Sequence, residues 1–127
     1  MAHDKELLSH FAITLAVRNI SAAIAFYRDQ LGFSLEFEWN DPVDYAVLRR
    51  GENVNIHLSK RQDDLRPSEI HTAMYVFVQE VDELYKEFLQ KGVTVKTPVG
   101  NREYGMRDFD VVDPEGHILT FGMGISG

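Results

Sequence analysis

The feature that most constrains the fold is a repeat within the chain itself. The segment HFAITLAVRNISAAIAFYRDQLGFSLEF (residues 10–37) can be set above HTAMYVFVQEVDELYKEFLQKGVTVKT (residues 71–97). Each begins with histidine, continues as a strand-like run, and then shows apolar residues at helical spacing. Self-similarity of this kind is typical of a structure built from copies of one supersecondary unit. The sequence therefore predicts two equivalent structural units.

Local signals predict where each helix begins and ends. Ser21 and Asp82 lie near the predicted helix starts, where a side-chain oxygen can cap free backbone amides. Gly32 and Gly92 follow the helices and supply the left-handed conformation that ends them. Aromatic and β-branched residues resume after each glycine, so a strand is expected next.

Each repeat is predicted to have the order β-α-β-β-β. The first strands are expected at 11–17 and 72–78, and the later ones at 33–39, 45–49, 54–59, 94–97, 107–112 and 117–121. The charged tract that contains Pro67 predicts a linker at 60–70. A chain of 127 residues is most simply one domain, 1–127, made of repeats 10–59 and 71–122. The predicted fold class is α+β, with two βαβββ repeats forming a cupped mixed sheet and the helices on its outer face.

Strand alternation assigns side chains to the two faces of the sheet. The helix side of the first strand of each repeat is expected to hold Phe11, Ile13, Leu15, Val17, Thr72, Met74, Val76 and Val78. In the last strand, Leu119 and Phe121 are predicted to be core, which leaves Ile118 and Thr120 opposite. The other face mixes polar and aromatic residues, and this mixture predicts a lined concavity. Asp108 and Asp110 share one face of their strand, which allows a pair of carboxylates; the favoured expectation is that they are solvated or pair with Arg102 or Arg107.

Composition excludes several classes of function. The chain contains no cysteine, so disulfides and thiolate chemistry are ruled out. A formal net charge of −7 argues against nucleic-acid binding, which requires a basic surface. No apolar run approaches the roughly 20 residues that span a bilayer, and nothing at the start resembles a signal peptide. A cytoplasmic protein without membrane contact is expected.

Two stretches resemble the vicinal oxygen chelate superfamily, which includes glyoxalase I, extradiol dioxygenases and the fosfomycin- and bleomycin-resistance proteins. They are LAVRNISAAIAFYRDQLGF, similar to the family's first strand and helix, and MRDFDVVDPEGHILTF, similar to its terminal hairpin. The resemblance covers about residues 9–122. It implies one metal-ligand position on each of four strands, and these positions carry Ala12, His57, Ala73 and Thr120. Alanine offers no donor atom, so the usual metal and any other cofactor are expected to be absent.

An enzyme remains the alternative. His10 and His71 precede the two alanine positions by two residues and so share their face, and His57 lies on the same side of the sheet. Three imidazoles can in principle hold a displaced divalent metal, with Glu103 or Asp110 as a further ligand. The protein would then be a lyase, isomerase or dioxygenase of glyoxalase type.

The leading prediction is a metal-independent binding protein without catalytic residues. RRGENVNIHLSK and REYGMRDFDVVDPEGH look like the bleomycin-resistance branch, which implies a homodimer whose grooves sequester a flat, cationic antibiotic and so confer antibiotic resistance. The acidic residues that flank Trp39 would attract such a cation. An unrelated small metabolite remains a further possible ligand. The candidate ligand-binding residues are Trp39, Tyr45, Asn55, His57, Ser59, Tyr75, Phe77, Tyr104 and Thr120.

Overall fold

The two repeats fold into two modules of the same topology. The computed structural model describes residues 5–125. The first module contains β1 (Ala12–Val17), α1 (Ile20–Ala25), β2 (Ser34–Trp39), β3 (Tyr45–Arg50) and β4 (Val54–Lys60). The second contains β5 (Met74–Phe77), α2 (Val81–Gln90), β6 (Val95–Asn101), β7 (Met106–Val112) and β8 (Ile118–Gly124).

Each module forms a four-stranded mixed sheet. The strand orders are β1-β4-β3-β2 and β5-β8-β7-β6. In each sheet the first strand runs parallel to the last, and the remaining pairs are antiparallel. In each module the helix crosses over the sheet from the first strand to the opposite edge, and the next strands return until the last one pairs with the first. The predicted α+β fold of two βαβββ repeats is confirmed.

The predicted glycines lie at the helix ends, but the predicted capping residues do not cap the helix starts. α1 continues as a π-helical turn at Phe26–Gln30, and positive φ angles of 77° at Gly32 and 75° at Gly92 follow the two helical segments. The Asn19 side-chain oxygen, and not that of Ser21, accepts a hydrogen bond from the backbone amide of Ala22 at 3.0 Å. Asp82 binds the Arg107 guanidinium at 2.8 Å instead of capping α2. Both cap predictions were therefore wrong.

One hydrophobic core joins the two modules. It includes the helix-facing side chains of both sheets and the apolar faces of both helices. Tyr27, Phe88 and Phe109 are completely or almost completely buried. The ring of Phe88 lies 5.2 Å from that of Phe121 and 5.9 Å from that of Phe109, in edge-to-face geometry. Burying a phenylalanine side chain contributes about 1.5–3 kcal/mol, so this cluster holds α2 firmly on its sheet.

Polar contacts also cross between the modules. The Tyr27 hydroxyl donates to Asp113 Oδ2 at 2.7 Å, and Arg50 donates to both carboxylate oxygens of Glu87. Gln30 donates to the carbonyl oxygen of Lys91 at 3.1 Å. These contacts lie on the helix side of the modules and hold the two modules together.

The structure corrects several details of the predicted faces and strands. Phe11 precedes β1 and is 79% exposed, so no helix covers it. Thr72 precedes β5 and hydrogen-bonds the carbonyl oxygen of Met74. Ile118 is only 4% exposed although it lies opposite the core face. β6 and β8 each extend several residues beyond their predicted ends. Among residues 5–125, no helix has the length and apolar character needed to cross a bilayer.

Candidate functional site

Eight of the nine predicted site residues lie at strand positions that point away from the helices, and Tyr104 lies in the turn between β6 and β7. Residues directly opposite one another on paired strands share a face. In the first module Ser59 lies opposite Tyr45, which in turn lies opposite Trp39. In the second module Tyr75 lies opposite Thr120, and Phe77 lies opposite Gly122. We call these surfaces the first face and the second face.

The first face holds a tyrosine–histidine pair beside two exposed aromatic rings. Tyr45 Oη lies 2.7 Å from His57 Nδ1, and the rings meet edge to face with centroids 5.5 Å apart. Trp39 is 57% exposed and lies 5.6 Å from the ring of Phe37. Together with Ser59 these residues form the surface of the first face. Trp39, Asp44, Tyr45, Ser59 and Lys60 line a shallow cavity of about 420 Å³ there.

Phe37 is a candidate site residue that the sequence prediction missed. It is 48% exposed and lies on the same side of β2 as Trp39. The two-residue spacing between them was a sufficient signal, because side chains at i and i+2 of a strand point the same way.

The second face centres on a buried carboxylate. Asp108 is 3% exposed and accepts hydrogen bonds from Arg102 Nε at 2.8 Å, Tyr75 Oη at 2.8 Å and Tyr104 Oη at 2.7 Å. The predicted pairing of Asp108 with Arg102 is thereby confirmed. Phe77, 76% exposed, lies with its ring centroid 5.1 Å from that of Tyr75. A cavity of about 380 Å³ on this face is lined by Ile70, Thr72, Tyr75, Lys96, Tyr104, Asp110, Ile118 and Thr120.

The hydrogen bonds around Asp108 shift the acidities of its neighbours. Burial raises the pKa of Tyr75, and the hydrogen bond to Asp108 raises it further. The same acceptor is the main reason why the pKa of Tyr104 is raised. Burial alone would raise the pKa of Asp108, but the hydrogen bonds from Arg102 and the two tyrosines outweigh burial and lower it. At neutral pH the carboxylate is therefore charged and both phenols keep their protons.

Two predicted residues serve mainly to support the faces. Thr120 is 5% exposed, and its hydroxyl donates to Asp110 Oδ1 at 2.6 Å and lies 2.7 Å from Thr72 Oγ1. The Asn55 side chain donates to the carbonyl oxygen of Phe11 at 3.1 Å and so fixes the start of β1.

The four metal-ligand positions of the superfamily carry a poor donor set in this chain. Ala12 and Ala73 have no donor atom, and the hydroxyl of Thr120 is already hydrogen-bonded to Asp110. Only His57 offers a strong ligand, with Nδ1 already bonded to Tyr45. These residues do not fit a divalent ion, which requires three or more good protein ligands.

The displaced histidine site is not assembled either. His10 lies before β1 and is bonded through Nδ1 to Ser9 Oγ at 2.7 Å. His71 lies in the segment before β5, beside the Ile13–Ala16 stretch of β1. Within residues 5–125 no group of three or more His, Cys, Asp or Glu side chains is arranged to hold a metal ion.

A further cavity of about 420 Å³ lies on the helix side, between α2 and the β3–β4 hairpin. Its lining includes Phe33, Val76, Leu84, Phe88 and Phe121, with Glu80 and Glu83 beside them. Phe77 of the second face also lines this cavity, whereas the other predicted site residues do not.

Comparison with known proteins places the chain in a family. Residues 7–121 match the Glyoxalase/Bleomycin resistance protein/Dioxygenase superfamily. The chain is 30% identical over 123 residues to bleomycin resistance proteins of Geobacillus stearothermophilus and Staphylococcus aureus, with 84% of this chain and 90% of each relative covered.

Solved structures have the same fold. The bleomycin-binding protein of Streptomyces verticillus, complexed with copper(II)-bleomycin, is 25% identical with a TM-score of 0.72, covering 95% of this chain and 100% of that one. TioX from Micromonospora sp. ML1 is 22% identical with a TM-score of 0.75, covering 92% of this chain and 99% of that one. From its sequence match, its two βαβββ modules and these relatives, the chain belongs to the glyoxalase/bleomycin resistance protein/dioxygenase superfamily.

Proposed function

We propose that two copies of this chain sequester a small cationic molecule with aromatic rings, of the kind that bleomycin represents. The ligand binds in two equivalent grooves, each formed by the first face of one copy and the second face of the other. No bond is broken and no metal is required from the protein. The physiological effect is antibiotic resistance by stoichiometric binding, in the cytoplasm as the sequence predicts.

The observation that carries this proposal is the exposure of large aromatic side chains on both faces. Trp39, Phe77 and Tyr104 are 57%, 76% and 67% exposed. Solvent-exposed aromatic rings grouped on a concave surface mark binding sites for partners or ligands. Such rings can stack on heteroaromatic groups and attract cations to their faces.

Two copies are needed because each cavity is lined by one module alone. The 420 Å³ cavity of the first face has no residue from the second module, and the 380 Å³ cavity of the second face has none from β1–β4. A twofold axis repeats every contact twice. An axis that brings the first face of one copy against the second face of the other therefore forms two complete grooves. The exposed side chains of Leu7, Leu8 and Phe11 offer further apolar surface for this association.

Charge supports a cationic ligand. The chain has 20 acidic against 13 basic residues, a formal net charge of −7. Asp44 and Lys60 both line the first-face cavity, and Asp110 and Lys96 both line that of the second face, so the charge argument rests on the negative sign of the whole chain. A surface of this sign raises the local concentration of cations and speeds their association.

Binding without chemistry is supported by the donor set. Ala12 and Ala73 stand where metal-dependent relatives carry ligands, and the histidines do not gather elsewhere among residues 5–125. The resemblance to bleomycin resistance proteins and to a bleomycin-binding structure supports the ligand class.

Isothermal titration calorimetry with metal-free bleomycin and with copper(II)-bleomycin tests the proposal. We expect one ligand per chain with micromolar or tighter affinity. Trp39→Ala should weaken binding about tenfold, because it removes one stacking surface. Leu89→Ala is the matched control, since Leu89 is similarly exposed at 48% but lies on α2, away from both faces.

Each part of the proposal has its own refutation. The absence of heat at high micromolar bleomycin would exclude this ligand class. Sedimentation of the protein as a monomer, with and without ligand, would exclude the shared grooves. Stoichiometric metal in protein purified without chelator would overturn metal independence and favour the enzyme.

A further inference from the structure

The side chain of Tyr75 crosses a neighbouring strand to reach its partner. In the second sheet β8 lies between β5 and β7. Tyr75 on β5 nevertheless donates to Asp108 on β7 at 2.8 Å. Its hydroxyl therefore passes over β8 at Gly122, which lies directly opposite Asp108.

Position 122 requires glycine, because a side chain there would occupy the space through which the Tyr75 hydroxyl passes. A Cβ atom on Gly122 would overlap the Tyr75 hydroxyl and would lie 2.6 Å from Asp108 Cβ and 3.1 Å from the carbonyl oxygen of Arg107. Its φ is not in the left-handed region, so its backbone conformation suits any residue. Glycine weakens a strand interior and often marks a close approach. Here the approach is that of the tyrosine hydroxyl.

Asp108 uses both carboxylate oxygens within this network. Oδ1 accepts from Arg102 Nε at 2.8 Å, and Oδ2 accepts from Tyr75 and Tyr104. Arg102 is fixed in turn, because its Nη2 donates to the carbonyl oxygens of Pro98 at 2.7 Å and Asp108 at 2.9 Å. At 3% exposure the Asp108 carboxylate has little access to a ligand.

The network directs the two phenols inward and leaves their rings to form the surface. Both hydroxyl protons are used by Asp108, so neither phenol is free to donate to a ligand. The Tyr104 ring remains 67% exposed, and Phe77 packs beside Tyr75 with 76% of its own surface open. We call these three rings the aromatic cluster of the second face.

We propose that Asp108 and Gly122 are positioning residues that hold the aromatic cluster in a stacking orientation, so that the second face recognises planar aromatic or heteroaromatic groups through ring faces and not through phenol hydrogen bonds. The ligand part of this inference rests on the proposed function. The positioning part stands on the geometry alone. A ring that is fixed before binding loses less side-chain entropy when the ligand arrives, which favours affinity.

The positioning role can be tested without any ligand. The protein has five tyrosines, and ¹³C-labelled tyrosine resonances can be followed as pH is raised. In the wild type Tyr75 and Tyr104 should ionise above ordinary tyrosine values. Asp108→Asn should lower the pKa of both, and more completely for Tyr104, because burial is the largest cause of the raised pKa at Tyr75 and remains in the variant. Asp82→Asn, which removes an exposed carboxylate bound to Arg107, is the matched control and should leave the titration of Tyr75 and Tyr104 unchanged.

The ligand role is tested by affinity for copper(II)-bleomycin. Asp108→Asn should weaken binding about 5- to 10-fold in the wild-type background. In a variant in which Tyr75 and Tyr104 are both changed to Phe, the same substitution should cause no further loss of affinity, because the hydrogen bonds from the phenols to Asp108 are already absent. Gly122→Ala is a second variant that displaces Tyr75 while keeping Asp108, and it should weaken binding to a similar degree.

The outcomes separate the two proposals. If the Asp108→Asn protein shows wild-type tyrosine titration, the positioning role is overturned whether or not bleomycin binds. If tyrosine titration shifts but affinity falls equally in both backgrounds, Asp108 acts on binding by another route and the recognition part is overturned. If the wild type binds no bleomycin while the titration shifts as expected, the proposed function fails and the positioning role stands.

Discussion

The contact between Tyr27 and Asp113 gives the sharpest test of how the modules are held together. Asp113 is 4% exposed, and its two carboxylate oxygens have different hydrogen-bond partners. Oδ1 accepts the backbone amides of Glu115 and His117 at 2.9 Å each, which shapes the β7–β8 turn. Oδ2 accepts the Tyr27 hydroxyl at 2.7 Å and faces His117 Nδ1 at 2.8 Å. The first oxygen serves the turn and the second joins the two modules.

Asp113→Asn separates these two roles. The side-chain oxygen of the asparagine can still accept hydrogen bonds from the turn amides, but its amide NH2 group then faces the Tyr27 hydroxyl and the His117 ring. A buried hydrogen bond to a charged acceptor contributes about 1.5–3 kcal/mol, and an unsatisfied buried partner adds to the cost. Since Tyr27 is completely buried, we expect the free energy of unfolding to fall by about 2–4 kcal/mol. Tyr27→Phe removes only one donor and should cost about 1–2 kcal/mol.

Equilibrium urea unfolding, followed by circular dichroism and by Trp39 fluorescence, measures these changes. Protein concentration must be held constant, because association couples to stability. Asp64→Asn is the control, since Asp64 is fully exposed and its ion pair with Arg18 is long, at 3.7 Å. It should be indistinguishable from the wild type.

The pH dependence of the free energy of unfolding, compared between the wild type and Asp113→Asn, is a second test of this contact. Burial would raise the pKa of Asp113, but hydrogen bonds from His117 and Tyr27 outweigh it and lower the pKa below its ordinary value. A carboxyl with a lowered folded-state pKa contributes stability above about pH 4 that is lost as pH falls through the folded pKa. The stability difference between wild type and variant should therefore shrink in acid.

Two results would refute this reasoning. One is a loss below about 1 kcal/mol for Asp113→Asn at pH 7, which would mean that the buried network adds nothing net. The other is an equal cost of Tyr27→Phe in the wild-type and Asp113→Asn backgrounds, because residues in one hydrogen-bond network should couple.

Three further predictions follow from the core, the module interface and a helix end. Phe88→Ala should cost about 3–5 kcal/mol in urea unfolding, because Phe88 is 1% exposed within an aromatic cluster; a smaller loss would mean that the core collapses around the cavity. Arg50→Met, which removes the 2.7 Å ion pair to the partly exposed Glu87, should cost about 0.5–1 kcal/mol at low salt and less in 1 M NaCl; a salt-independent loss would assign the effect to packing. Gly92→Ala should lower stability by about 1 kcal/mol, because φ is 75°, whereas Gly124→Ala, with open space around its position, should not.

Most of the fold was accessible from the sequence because the repeat fixed the topology. Gly32 and Gly92 marked the helix ends through a local requirement for positive φ. The first helix start was predicted at the wrong cap because Ser21 and Asn19 are both good caps, and only the actual hydrogen bond to Ala22 distinguishes them. Local chemistry therefore predicted the elements, and boundaries were missed where two residues competed for one role.

The site was predicted less completely, because alternation assigns a face but not exposure. Thr120 lies on the predicted face yet is buried, since Thr72 and Asp110 approach it from other segments. Phe11 fits the pattern of the core face yet lies beyond the end of β1. The role of Asp108 depends on side chains from positions 75, 102 and 104, which no periodicity brings together. Contacts between segments distant in sequence were the missing information.

The crossing of Tyr75 over Gly122 also restricts how this sequence can change over time. While the tyrosine hydroxyl lies above β8, any side chain at position 122 meets it, so most single substitutions there should be unfavourable. If position 75 first becomes a smaller residue, that obstacle disappears. The order of substitutions then matters: a larger residue at 122 is accessible only after the tyrosine has been replaced. Replacement of Tyr75 is therefore expected to come before any larger residue at position 122, so changes at these two positions should occur in that order.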